Sequence, residues 1–88
     1  MKIREDYKIR KIGDEEVLVS HKGSSTNLSR VMVLNPSAAF LIRETAHRSF
    51  DAEEWAEMLV QHYGIDNNRA KADAEQLIAR LKQEQVIE

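Results

Sequence analysis

The residues able to do chemistry in this chain are few and scattered. His21, His47 and His62 are its only imidazoles, and none lies three or four residues from another, the spacing that sets two metal ligands on one helical face. There is no cysteine, which excludes thiolate ligands, thiolate nucleophiles and disulfides and fits a reducing compartment. The histidines therefore read as exposed or packing side chains, and neither a metal nor a cofactor is expected. Adjacent carboxylates occur at Asp14, Glu15 and Glu16 and again at Glu53 and Glu54. Acid–base work needs two carboxylates facing one cleft with separated pKa values. Neither cluster is flanked by an apolar lining for such a cleft, so they read as turn charge and helix-start charge. Ser24, Ser25 and Thr26 have no evident base beside them, and Gly23 alone is no phosphate loop. The inventory contains no catalytic set, so the chain is expected to bind rather than to catalyse.

The charges toward the C-terminus are more informative. Arg69, Lys71, Asp73, Glu75, Arg80, Lys82 and Glu84 nearly balance, and the whole chain carries a net charge of −2. Phosphate binding draws on a basic surface that releases counterions; no nucleic acid is expected as a partner. The ordinary reading of these charges is a solvated helix face. One stripe differs: Asp73, Gln76, Leu77, Arg80 and Glu84 recur every three or four residues and mix polar with apolar groups at the border of a core stripe. Such a border can line a groove. Trp55, on an apolar helical stripe, reads as core rather than as a stacking platform for a ligand.

The elements that must position these groups fit one domain spanning residues 1–88. A chain of 88 residues buries only about 60–65% of its unfolded surface, leaving room for one thin core. Hydrophobic residues at 42% and charged residues at 32% match an ordinary globular domain. No apolar run approaches the ~20 residues of a membrane span, and the charged start from Met1 to Lys11 lacks the apolar stretch of a signal peptide. The cytoplasm is the expected location and no membrane is expected as a partner. Tyr7 to Ile12 alternates approximately, Gly13-Asp14 is a turn signal, and Val17-Leu18-Val19 is a β-branched run; together they predict a hairpin. His21 to Asn27 has the composition of a loop. Leu28 to Leu34 predicts a third strand, with Val31 and Val33 on one face and Met32 and Leu34 on the other.

After Leu34 the period becomes helical. Asn35-Pro36 is a start signal, since Asn caps and Pro is tolerated at the first helical position. Ala38, Leu41, Ile42 and Thr45 form its stripe, with Phe40 beside it. A second helix starts where Asp51 caps, Glu54 completes a capping box and Phe50 staples onto Trp55. Its buried face is predicted as Ala52, Trp55, Ala56, Leu59, Val60 and Tyr63, and Gly64 ends it. A third helix, from Asp66 or Asn67 to about Gln83, places Ala70, Ala74, Leu77, Ile78 and Leu81 inward, and Val86-Ile87 can pack back on the core.

The run Val31-Met-Val-Leu-Asn-Pro-Ser-Ala-Ala-Phe-Leu-Ile42, then Phe50-Asp-Ala-Glu-Glu-Trp55, His62-Tyr-Gly-Ile-Asp66, Ala72-Asp-Ala-Glu75 and Val86-Ile-Glu88 resembles the PqqD family. That family holds the coenzyme PQQ synthesis protein D and the peptide-recognition elements of other ribosomal peptide modification systems. The resemblance spans residues 7 to 88 and is sharpest from Leu34-Asn35 onward; it rests on order and spacing, with no single decisive motif. Two turns depart from the family pattern. Ala46-His47-Arg48-Ser49 stands where many members have a glycine-containing turn, and Gln85 replaces a glycine common before the terminal apolar pair.

The resemblance implies an α+β, winged-helix-like fold: a three-stranded antiparallel sheet followed by three helices. It also implies a non-catalytic peptide chaperone in natural product biosynthesis, either PQQ biosynthesis or another peptide pathway. Such a protein binds the leader of a ribosomally made precursor peptide by strand addition and presents it to a modifying enzyme, in PqqD's case resembling a radical SAM partner. Carried onto this chain, the peptide-binding residues are Arg30, Val31, Met32, Val33 and Leu34 at the strand edge, with Asp73, Gln76, Leu77 and Arg80 selecting side chains from the third helix. An exposed edge supplies sequence-tolerant main-chain pairing. Alternatives stay open: Val31 to Leu34 as a purely core strand, a winged-helix DNA-binding regulator, or a structural module that homodimerises by pairing its own edge.

Overall fold

Six elements follow in the expected order, three strands and then three helices. The computed structural model describes residues 1–20 and 31–87; the loop read at His21 to Asn27 and the strand positions Leu28, Ser29 and Arg30 lie outside the described residues. Strands β1 (Tyr7–Ile12) and β2 (Glu15–Ser20) form the hairpin, registered from Tyr7 opposite Ser20 to Ile12 opposite Glu15. Gly13 opens its two-residue turn at φ 61°, where a side chain would strain the backbone. Strand β3 (Val31–Leu34) runs antiparallel to β2, from Val19 opposite Val31 to Glu16 opposite Leu34. The strand order is β1-β2-β3, so the middle strand of the sequence is the middle strand of the sheet. Alternation along β3 is as predicted: Met32 and Leu34 are buried in the core, whereas Val31 and Val33 remain 46% and 50% exposed on the opposite face.

Each helix starts where a side chain satisfies its first free N–H groups. Helix α1 (Pro36–Thr45) has Pro36 at its first turn and the Asn35 Oδ1 accepting from the Ala38 N–H at 2.8 Å. At α2 (Ala52–Tyr63) the Asp51 Oδ1 accepts from the Glu54 N–H at 2.8 Å. The second half of the expected capping box is replaced. The Glu54 carboxylate turns to the Arg48 guanidinium at 2.6 Å, and that hydrogen bond raises the Arg48 pKa above its ordinary value. Gly64, at φ 67°, ends α2 by donating to the Val60 carbonyl at 2.8 Å. Helix α3 (Asn67–Gln83) is capped by Asp66, which accepts from the N–H groups of Asn68 and Arg69. Among the described residues no helix is long and apolar enough to cross a membrane.

The core centres on Trp55, which is fully buried with Leu18, Leu41, Leu81 and Val86 around it. Phe50 stacks on it at a centroid distance of 4.2 Å, as the staple predicts. Its indole Nε1 donates to the Thr45 hydroxyl at 3.1 Å, and that hydroxyl donates to the Leu41 carbonyl at 2.7 Å. Ala70 and Ala74 of α3 are fully buried in the same cluster, and α3 is seated against α2. Tyr63 departs from the expected buried face: at the last residue of α2 its ring is 43% exposed and meets Phe40 edge-on at 5.9 Å. His62 stacks on the same Phe40 at 4.1 Å, a packing role.

The termini close the structure. Val86 is buried, as expected of the apolar tail, and Ile87 packs against the core. Their partner, not foreseen from the sequence, is the N-terminal segment. Ile3 is buried and bridges to Ile87, the Arg4 N–H donates to the Val86 carbonyl, and Met1 exchanges two hydrogen bonds with Phe50. A lone apolar residue among charges has no periodicity to announce it.

Among the described residues two non-glycine residues have positive φ, His47 at 71° and Gln85 at 62°. They lie in the two turns that depart from the family's glycine pattern. At Gln85 the local hydrogen bonds explain the demand: the Val86 N–H reaches the Leu81 carbonyl and the Gln85 N–H the Lys82 carbonyl, a Schellman closure with a left-handed residue in the glycine position. Replacing Gln85 by Gly relieves a left-handed strain of roughly 1–2 kcal/mol, partly offset by the greater freedom of Gly in the unfolded chain. Gln85→Gly is therefore expected to raise the thermal midpoint, whereas Gly64→Ala lowers it. Thr45→Val leaves the Trp55 N–H without an acceptor and is expected to cost about 1–3 kcal/mol. That loss is read as a lower urea midpoint at unchanged slope, and Thr45→Ser, which keeps the hydroxyl, loses less.

Candidate functional site

Among the described residues β3 pairs with β2 alone, so its outer backbone groups meet no strand there. Because Met32 and Leu34 are anchored in the core, what the edge turns outward is chiefly its backbone. The other edge of the sheet is unlike it. Strand β1 carries Lys8, Arg10 and Lys11 among six residues, whereas β3 carries no charge at all. Charged side chains along an edge discourage indiscriminate strand addition. Among the described residues the edge without charge or partner strand is β3.

The wall beside it comes from α3. Asp73, Gln76, Leu77 and Arg80 stand at intervals of three, one and three residues, which holds them on one face. They look across a cleft of about 510 Å³ at Asn35, Ser37, Ala38 and Leu41 around the start of α1 and at Leu59 of α2. Leu77, Leu41 and Leu59 make part of the lining apolar. Arg80 and Asn35 also border a second crevice of about 490 Å³ that reaches Val33 and Leu34 at the end of β3. In the other direction Asp73 and Arg69 border a third, of about 340 Å³, ending at Tyr63 and Ile65. These spaces share walls and form one continuous groove, in which Arg80 is the joint between strand end and helix. From Arg69 to Arg80 the helix rises about 16 Å, the span of roughly five residues of extended chain.

The proposed side-chain selectors Asp73, Gln76, Leu77 and Arg80 thus share one wall. The strand residues are divided: Val33 and Leu34 reach the groove, Val31 and Met32 do not line it, and Arg30 lies outside the described residues. The facing wall was not legible as such, because Asn35 announced a helix start and Leu41 and Leu59 announced core. The acidic turn also changes meaning. Asp14, Glu15 and Glu16 read as turn charge in the sequence, yet the fold brings Val33, Leu34 and Pro36 beside them at the mouth of the groove. Glu16 is paired with Arg43. Asp73 lies 3.6 Å from Arg69 in an exposed pair of small energetic weight. Arg80 makes no ion pair among the described residues. The joint therefore presents carboxylates on the hairpin side and, on the helix side, a guanidinium with no ion pair among the described residues.

The architecture is shared with a solved structure described as "TbiB1 in Complex with the TbiA(beta) Leader Peptide". The match has a TM-score of 0.73 at 19% identity over 100% of this chain and 95% of that one; it is a likeness of fold. No curated protein matches by sequence. The family model for coenzyme PQQ synthesis protein D (PqqD) matches residues 15–87, from the second strand through the apolar tail. This chain belongs to the PqqD family.

Proposed function

We propose that the chain is a peptide chaperone that captures the leader of a ribosomally synthesised precursor and presents it to a separate modifying enzyme, such as a radical SAM protein. The observation that carries this reading is the bare β3 edge opening at Leu34 onto a groove walled by α3. Family membership supports it, as does the likeness of fold to a protein solved with a leader peptide bound. The leader adds as a fourth strand along Val31 to Leu34, so main-chain hydrogen bonds give affinity that depends little on sequence. Beyond Leu34 it follows α3. There Arg80 takes an acidic residue, Leu77 with Leu41 and Leu59 takes an apolar one, and Gln76 and Asp73 meet polar groups further on. No chemistry on the peptide is asked of this chain; its contribution is to fix the segment in an extended form that a second protein can engage.

Two other readings keep specific tests. A DNA-binding role would need the positive surface that the balanced charges of α3 do not supply, and a gel shift at low salt is expected to show no complex. Self-pairing through the bare edge would give a homodimer that added leader peptide dissociates, visible by sedimentation.

The direct test is calorimetric titration with the leader of the short precursor encoded beside this chain. Low-micromolar binding is expected, and no heat at about 100 μM would count heavily against the proposal. Arg80→Glu should weaken that binding about tenfold or more, since it replaces attraction by repulsion at the joint of the groove. Leu77→Asp should weaken it through the apolar subsite. Arg80→Glu should keep the wild-type thermal midpoint within a few degrees, because Arg80 is exposed. Leu77 packs partly against the core, so Leu77→Asp is expected to lower the midpoint as well, and its binding is read at a temperature where thermal unfolding shows it folded.

A further inference from the structure

Among the described residues the sheet has a second unpaired edge, β1, and it opens on a crevice of its own. Lys8 and Ile9 face Ile42, Arg43 and His47 across a space of about 240 Å³, with Arg4 also on its rim and Ile3 and Leu18 among its apolar lining. None of its lining residues lines the α3 groove. The charge here runs against that of the chain. Arg4, Lys8 and Arg43 bring three formal positive charges against the single carboxylate of Glu5, on a protein whose net charge is −2. Part of this charge is committed: Glu5 to Lys2, Arg43 to Glu16, and Arg4 more loosely to Asp6 at 3.7 Å. Lys8, and Arg10 and Lys11 beyond it on the same strand, make no ion pair among the described residues.

We propose that the β1 edge and the basic crevice beneath it form a second docking site, for an extended acidic segment of a partner protein. Three features converge on that occupant. The strand edge pairs with β2 alone among the described residues, which suits an extended backbone. The cations of β1, which make no ion pair among the described residues, favour carboxylates. The lining of Ile3, Ile9, Leu18 and Ile42 accepts apolar side chains placed alternately with them. The same cations repel a basic strand and leave a neutral one with buried charges to face, so the guard against random pairing is also the selector. The leader and the partner segment then occupy opposite edges of one sheet with no contact residue in common. This site does not depend on what β3 binds. Only the place of the leader on the opposite edge rests on the proposed function.

The test uses the full chain labelled with nitrogen-15 and a synthetic peptide of about eight alternating Glu and Ile residues, the length of an ordinary strand. The expected result is that amide shifts cluster on Arg4, Tyr7 to Arg10, Arg43 and His47, leaving Val31 to Leu34 and Asp73 to Arg80 unmoved. Affinity should fall about tenfold in the double variant Lys8→Glu, Arg10→Glu, and should fall again at about 1 M salt, where screening shortens to a few ångströms. Unchanged thermal unfolding of the variant shows that it is folded, and leader titration of the same sample reads the β3 groove separately. The proposal is overturned if about 1 mM peptide moves nothing, or if the shifts fall on the β3 groove instead. It is equally overturned if the lysine counterpart of the peptide binds as well, or if a short DNA duplex occupies the patch more tightly than the acidic peptide.

Discussion

A buried indole governs how this small protein is assembled. Trp55 loses all contact with solvent, and its N–H must find an acceptor inside a core that offers almost none. Thr45 supplies it, and passes the demand on to the carbonyl of Leu41. The relay ties the end of α1 to the start of α2 by a geometry that hydrophobic contact alone would not specify, since burial is non-directional and hydrogen bonds are not. Phe50 completes the fixture by stacking on the same ring while its backbone holds Met1. With α1 so placed, Asn35 and Ser37 at its opening turn stand across from α3, and the groove acquires its second wall.

The sheet shows how a small fold distributes risk. Three strands have two edges, and unpaired edges invite association. On β1 the problem is met with charge: Lys8, Arg10 and Lys11. On β3 it is left unmet, in a four-residue strand with two exposed valines. The described part of the strand alternates its side chains between core and surface. The adjoining groove then adds requirements that most sequences fail to meet. On the proposed function, selectivity on that side comes from what lies beyond the strand rather than from the strand itself.

How much was legible in the sequence follows from the range of the interactions involved. Helix starts and stops were readable because caps act within one turn: Asn35, Asp51, Asp66 and Gly64 all behave as local chemistry dictates. The alternation of Val31 to Leu34 and the apolar stripe of α3 were equally local, and they placed Asp73, Gln76, Leu77 and Arg80 on one wall. The misses are long-range. Glu54 was drawn from its box by Arg48, six residues away in the preceding turn. Ile3 found Ile87 from the opposite end of the chain. The carboxylates of Asp14 to Glu16 came to border the groove only because β3 and α1 fold beside them. Tyr63 satisfied the helical period, but the period carries no information about where the core ends along the axis. The glycine departures at His47 and Gln85 were visible as substitutions, and the structure supplied their physical meaning as left-handed residues carrying side chains.

The two fully buried alanines of α3 have a consequence for the groove wall that flanks them on that helix. Ala70 and Ala74 have no rotatable side chain, so the separation between α3 and the body of the protein is set by backbone against ring and methyl, with no flexible spacer to take up slack. Asp73 and Leu77 ride on the same rigid rod. The aperture offered to a guest is thereby gauged from behind: one methylene added at either alanine would lever the whole wall outward, altering the fit of a peptide that never touches the altered residue.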